Sequence, residues 1–95
     1  MHKKEILQFF QEHKEEIMNR FQAKIIGLFG SVARGEETFE SDIDLWVEIP
    51  PKLELIFALE DFLEKTLHQK VDIVRKHPFL KKKFVEIIQK DMIYV

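Results

Sequence analysis

Two short apolar runs are cut at their ends by residues that strands rarely tolerate there without reason. Ile25 to Phe29 runs straight into Gly30-Ser31, and Asp42 opens a second run, Ile43-Asp44-Leu45-Trp46-Val47. Ten residues separate the Gly-Ser step from the Asp-x-Asp pair. Runs of this length, rich in branched and aromatic residues and bounded by turn formers, predict strands. On a strand, side chains alternate between faces. Asp42 and Asp44 therefore point the same way, with alpha carbons about 6–7 Å apart, while Ile43 and Leu45 point to the opposite face, toward a core. The sheet must keep one face, or one edge, open for two carboxylates.

The rest of the chain fits around these strands. Residues 3–21 predict one amphipathic helix, with Ile6, Phe10, Ile17 and Phe21 at helical spacing and Leu7 and Met18 widening the stripe. Ser31 to Arg34 predicts a single helical turn, and Gly35 to Ser41 a polar loop. The second strand is expected over Asp42 to Ile49, where Pro50-Pro51 stops it and leads into a helix over Lys52 to His68. Leu53, Ile56, Phe57, Glu60, Leu63 and Leu67 give that helix its period, with Leu59 and Phe62 on the flank. Val71 to Val74 predicts a third strand. A last helix is expected from Phe79 to Lys90, with Phe84, Ile87 and Ile88 facing inward, and Met92 to Val95 as a closing strand. The order α-β-α-β-α-β-α, with a terminal β, implies a sheet covered by helices. Alternation alone also admits an ordinary parallel α/β sheet.

A chain of 95 residues supports one core, so residues 1–95 are expected to form a single domain. No apolar run reaches membrane-spanning length, and the N-terminus has no signal-like pattern. The absence of Cys excludes a disulfide framework and thiolate metal sites, and fits a cytoplasmic location. The net charge of −2 is unevenly spread. Residues 75–95 hold six Lys/Arg against two Asp/Glu, a local +4, leaving −6 on residues 1–74. That asymmetry marks either a surface facing an anionic partner or a solvated helix face.

The chemistry-bearing residues each admit two readings. Asp42 and Asp44 either face solvent or hold a divalent cation, which relieves their mutual repulsion; Mg²⁺ accepts carboxylate oxygens and leaves positions for water and phosphate. Gly30 and Ser31 form either a tight turn with a helix cap or a phosphate cradle, in which Gly admits a close ligand and Ser adds a donor. Asp72 interrupts the third strand. Beside the second strand it would join Asp42 and Asp44 on one face; otherwise it is an outward-facing edge residue. Arg34, one turn after Ser31, reaches phosphate or pairs with a loop Glu. Ser41 orients Asp42 or closes the loop. Trp46 shares the face of Asp42 and Asp44, where it stacks on a base or packs against a helix. Lys81-Lys82-Lys83 either meets a partner, or RNA held by a partner, or is solvated at a helix start. His2, His13, His68 and His77 lack metal-ligand spacing and are expected on the surface.

The string GSVARGEETFESDIDLWV resembles the signature of the DNA polymerase beta-like nucleotidyltransferase superfamily, and within it the minimal nucleotidyltransferases. The likeness covers about Lys24 to Arg75, and the later Asp72 matches as well. It implies an α/β (α+β) fold, a small mixed sheet flanked by helices. It implies that Asp42 and Asp44 bind two Mg²⁺ ions, with Asp72 completing one site and helping to deprotonate the acceptor. Gly30 and Ser31, with Arg34 nearby, would hold the phosphates of ATP or another nucleoside triphosphate. By the same resemblance the acceptor is a tyrosine hydroxyl on a cognate HEPN-domain toxin, and the chain is its antitoxin. Two other readings stand beside this one: a binding module that masks its partner with little or no catalysis, and transfer to a small-molecule hydroxyl. Direct nucleic-acid binding is disfavoured by the net acidic charge and the lack of a basic groove.

Overall fold

The computed structural model describes residues 2–36 and 41–95. The elements follow as α1 (Lys3–Glu12), α2 (Lys14–Phe21), β1 (Lys24–Phe29), α3 (Gly30–Ala33), β2 (Ile43–Glu48), α4 (Leu53–Leu67), β3 (Val71–Arg75), α5 (Lys82–Gln89) and β4 (Ile93–Tyr94). The polar loop expected over 35–41 falls partly on residues 37–40, outside the described residues.

One mixed four-stranded sheet organises the chain, in the order β3-β2-β1-β4. β1 pairs antiparallel with β2 and with β4, whereas β2 and β3 run parallel and are joined by α4. A purely parallel sheet is thereby excluded. The alternation of β2 sorts its faces as expected. Ile43, Leu45 and Val47 are fully buried and, with Ile49, join one hydrophobic core with Ile6, Phe10, Ile17, Phe21, Leu59, Leu63 and Leu67 from the helices. β1 keeps the same sorting despite an irregularity. A bulge between Ile25 and Gly27 takes Ile26 out of register, so Ile25 and Leu28 both reach the core while Gly27 and Phe29 fall opposite Trp46 and Asp44. Arg20 clamps the helical layer, its guanidinium 5.0 Å from the Phe21 ring centre and 4.5 Å from that of Phe62.

Three expectations about helices are corrected. The helix over 3–21 is broken at His13, which leaves helical geometry at φ −112° and ψ 13°. Its N–H and its Nδ1 both contact the Phe9 carbonyl, at 3.0 and 2.8 Å, and its ring stacks on Phe9. A side chain that competes for a backbone carbonyl can end a helix without Gly or Pro. In α4 the buried stripe is Leu59, Leu63 and Leu67, with Ile56 packed beside it; Leu53 and Phe57 stand 65% and 60% exposed. In α5 only Ile88 is buried, while Phe84 and Ile87 are exposed. Trp46 and Ile88 are both buried yet lie outside the main core cluster.

Candidate active site

Sheet register brings the acidic residues together. Across β1, β2 and β3 one row reads Phe29, Asp44, Asp72, and the next reads Gly27, Trp46, Val74. Neighbouring strands lie about 4.8 Å apart, so Asp44 and Asp72 are direct cross-strand neighbours on the face away from the core. Asp42 sits just before β2, two residues from Asp44 on the same face. Its segment is pinned from both sides: Gln69 Nε2 donates to the Ser41 carbonyl at 2.7 Å, and Ile43 N–H to the Lys70 carbonyl at 2.9 Å. Ser41 thus closes the loop through its backbone. Glu64 in turn accepts the Val71 N–H at 2.9 Å and fixes the start of β3.

Gly30 stands against Asp44. Its φ is +77°, in the left-handed region, and a Cβ there would run into Asp44 Oδ2. No other residue type allows the chain to turn so tightly beside that carboxylate. α3 follows at once, carrying Ser31, and closes through Arg34 N–H to the Gly30 carbonyl at 3.1 Å and Glu36 N–H to the Ser31 carbonyl at 2.9 Å. Arg34 forms the ion pair with a loop Glu: Nε lies 3.0 Å from Glu36 Oε2, and Nη1 lies 3.7 Å from Asp91 Oδ2.

The electrostatics single out Asp44. Burial pushes its carboxyl up to about 6, repulsion from Asp72 and Asp42 adds to the shift, and Arg34 partly offsets it. Among the described residues no group of three or more His, Asp or Glu is arranged to hold a metal ion. The expected triad is on one face but is not closed into a three-ligand site. Its donor set still fits a hard divalent cation. Every donor is a carboxylate oxygen, their mutual repulsion favours a shared positive charge, and neither thiolate nor imidazole competes.

One neighbour went unread in the sequence. Glu60, assigned above to the inner stripe of α4, instead lies within electrostatic reach of Glu64 and Asp72. Its carboxyl is raised first by desolvation, then by those two charges. Spacing within α4 held no signal for it, since nearness to Asp72 depends on how α4 packs against β3. Trp46 is 4% exposed, its indole N–H has no hydrogen-bond partner, and Lys76 Nζ lies 5.5 Å from its ring centre. Packing, rather than an open stacking surface, describes it in this state. A hollow of about 250 Å³ lies elsewhere, between α2 and β1, lined by Ile17, Met18, Ala23, Ile25 and Val95. The carboxylates sit at the starts of β2 and β3, with Asp42 and Asp44 half-buried and Asp72 exposed on an edge strand.

This chain belongs to the nucleotidyltransferase family: residues 4–95 match the family model described as a nucleotidyltransferase domain. A Methanocaldococcus jannaschii protein named "Putative protein adenylyltransferase MJ1379" is 40% identical, covering 96% of this chain and 95% of its own length. "Protein adenylyltransferase MntA" of Thermococcus cleftensis is 39% identical over 96% of this chain and 93% of its own. A solved structure described as "putative minimal nucleotidyltransferase" superposes with a TM-score of 0.78 at 32% identity, over 100% of this chain and 97% of that one. The small mixed sheet flanked by helices is the minimal nucleotidyltransferase fold, and the chain is a nucleotidyltransferase enzyme. Among the described residues no helix is long and apolar enough to cross a membrane.

Proposed function

We propose that this nucleotidyltransferase moves a nucleoside monophosphate, AMP foremost, from a triphosphate to a hydroxyl of a protein. The acceptor we propose is a tyrosine of a cognate HEPN-domain toxin, with the chain as its antitoxin. One observation carries the reading: the Asp44–Asp72 cross-strand pair, with Gly30 packed against Asp44. The names of two relatives, both protein adenylyltransferases, support the nucleotide and the class of acceptor. The exposure of Asp72 on an edge strand fits a macromolecular acceptor.

Each residue then has a task. Gly30 and Ser31 hold the β- and γ-phosphates, the first by allowing close approach and the second by its hydroxyl. Asp42 and Asp44 would hold two Mg²⁺ ions, with Asp72 completing one of the two sites. The bound metal supplies Lewis-acid polarisation of the phosphate and neutralises charge on the leaving group. Asp72, exposed on the edge strand, accepts the proton of the incoming hydroxyl. The acceptor oxygen forms its bond to the α-phosphorus as the bond to the bridging β-oxygen breaks, and pyrophosphate leaves. Arg34 faces the phosphates only if it releases Glu36 or Asp91.

The test uses ATP labelled at the α-phosphate, with Mg²⁺, in a lysate containing the protein's native neighbours. We expect label on a discrete protein band with wild type and none with Asp44→Asn, which removes one ligand charge at nearly constant size. Equal labelling by the variant would overturn the assignment.

A further inference from the structure

α5 is the least anchored of the longer helices. Ile88 is its single buried residue, and its other bulky apolar side chains face outward, Phe84 at 38% and Ile87 at 60% exposure. Helical spacing puts Lys83, Ile87 and Lys90 in one row, with Phe84 beside it. Phe79, in the turn before the helix, is 88% exposed. An apolar row edged by lysines is costly to leave bare in a small domain, and clustering of this kind marks contact surfaces.

The charge pattern deepens the anomaly. Lys81 stands at the N-cap of α5 and Lys82 and Lys83 open it; the helix has no acidic residue in its first turn and no side-chain cap. Positive charge at a helix N-terminus opposes the helix dipole. The same residues belong to the segment of local charge +4, on a chain whose remainder carries −6. The row also leads toward the carboxylates. Asp91, just past the C-cap Lys90 of α5, pairs with Arg34, and Arg34 is close enough to Asp44 to act on its charge.

We propose that the outward row of α5, built by Lys83, Phe84, Ile87 and Lys90, is the surface on which the protein acceptor docks. The complementary surface on the acceptor is an acidic segment carrying apolar side chains. This rests on the reading of the chain as a protein nucleotidyltransferase and adds to it how the acceptor is recognised. Charge complementarity selects the occupant. A nucleic acid is a continuous polyanion and would run from the basic row onto the acidic remainder of the chain, where it is repelled. A protein can present acid locally and insert side chains around Phe84 and Ile87. Lysines at the rim then speed encounter, and the apolar row supplies residence.

The experiment compares wild type with Ile87→Asp and with the double variant Lys83→Glu, Lys90→Glu. All three positions are exposed, and thermal melts serve to check that the variants fold. Labelling from α-labelled ATP and Mg²⁺ is followed at several dilutions of native lysate, with MgATP affinity measured separately by equilibrium dialysis. We expect labelling of the acceptor band at low lysate to fall about tenfold or more in both variants, with MgATP affinity unchanged. Wild-type labelling should also weaken with added salt, and that of the double variant should not. Undiminished labelling by both variants, with Asp44→Asn inactive, overturns the docking surface and leaves the proposed function standing. Loss of labelling after ribonuclease treatment overturns it in favour of an RNA occupant. A wild type that labels no protein overturns the functional reading, and the docking surface with it.

Discussion

Gly30 shows how much of the site depends on a missing side chain. Gly30→Ala places a methyl group against Asp44 in a backbone conformation that alanine disfavours. We expect a loss of about 2 kcal/mol in a urea melt, and loss of transfer beyond what that accounts for. Asp44 makes a second prediction. Its carboxyl is raised to about 6, from an ordinary value near 3.8, so the folded state holds that proton more tightly than the unfolded chain does. The associated stability is present below pH 4 and is lost as pH rises through about 6. In metal-free buffer at pH 7.5, Asp44→Asn should therefore be more stable than wild type. The gain should be on the order of 1 kcal/mol after allowance for screening by solvent, and should vanish near pH 4. A less stable variant at pH 7.5 would show that the burial of the Asp44 charge and its repulsion from Asp72 and Asp42 are already relieved. The shared face of Asp42 and Asp44 was legible because period-two alternation is local. Glu60 was not, because its nearness to Asp72 depends on how α4 packs against β3, which spacing within α4 does not contain.

At the scale of elements, the strands were easier to place than the phases of the helices. β1, β2 and β3 fell within a residue or two of expectation because each is bounded by Gly, Pro or charge. α4 carries apolar residues on more than one side, so several stripes competed, and only tertiary packing chose Leu59, Leu63 and Leu67 over Leu53 and Phe57. The break at His13 had no sequence punctuation; it comes from His13 and Phe9 meeting one turn apart. α4 also ends in a way that can be improved. His68 caps it in the left-handed region at φ 54°. His68→Gly should stabilise the protein by about 0.5–1 kcal/mol, read as a higher denaturation midpoint with an unchanged slope. A change in slope would place the effect in the unfolded chain instead.

For the whole molecule, the linker of residues 30–42 is long enough either to turn back or to cross over, so the antiparallel pairing of β1 with β2 could not be read from the sequence. That pairing is what sets Phe29 and Gly30 beside Asp44 rather than at a remote edge. The parallel pairing of β2 with β3, in turn, concentrates negative charge at one end of the sheet by setting Asp44 beside Asp72. We expect millimolar Mg²⁺ to raise the melting temperature of wild type at pH 7.5, to do so less at pH 5, where Asp44 is largely protonated, and to do so little in Asp44→Asn. Equal shifts in all three conditions would point to nonspecific screening.

Trp46 is the sole tryptophan of the chain, buried on the face of Asp44 with Lys76 over its ring. Every photon of indole emission therefore comes from a position one strand repeat from the chemistry. Its burial and unpaired N–H predict an emission maximum at shorter wavelength than that of a solvated indole. Any event that moves Asp44 or Lys76 will register as a change in intensity or colour. Titration with MgATP is therefore expected to change the Trp46 emission in wild type and not in Asp44→Asn, with neither label nor coupled assay.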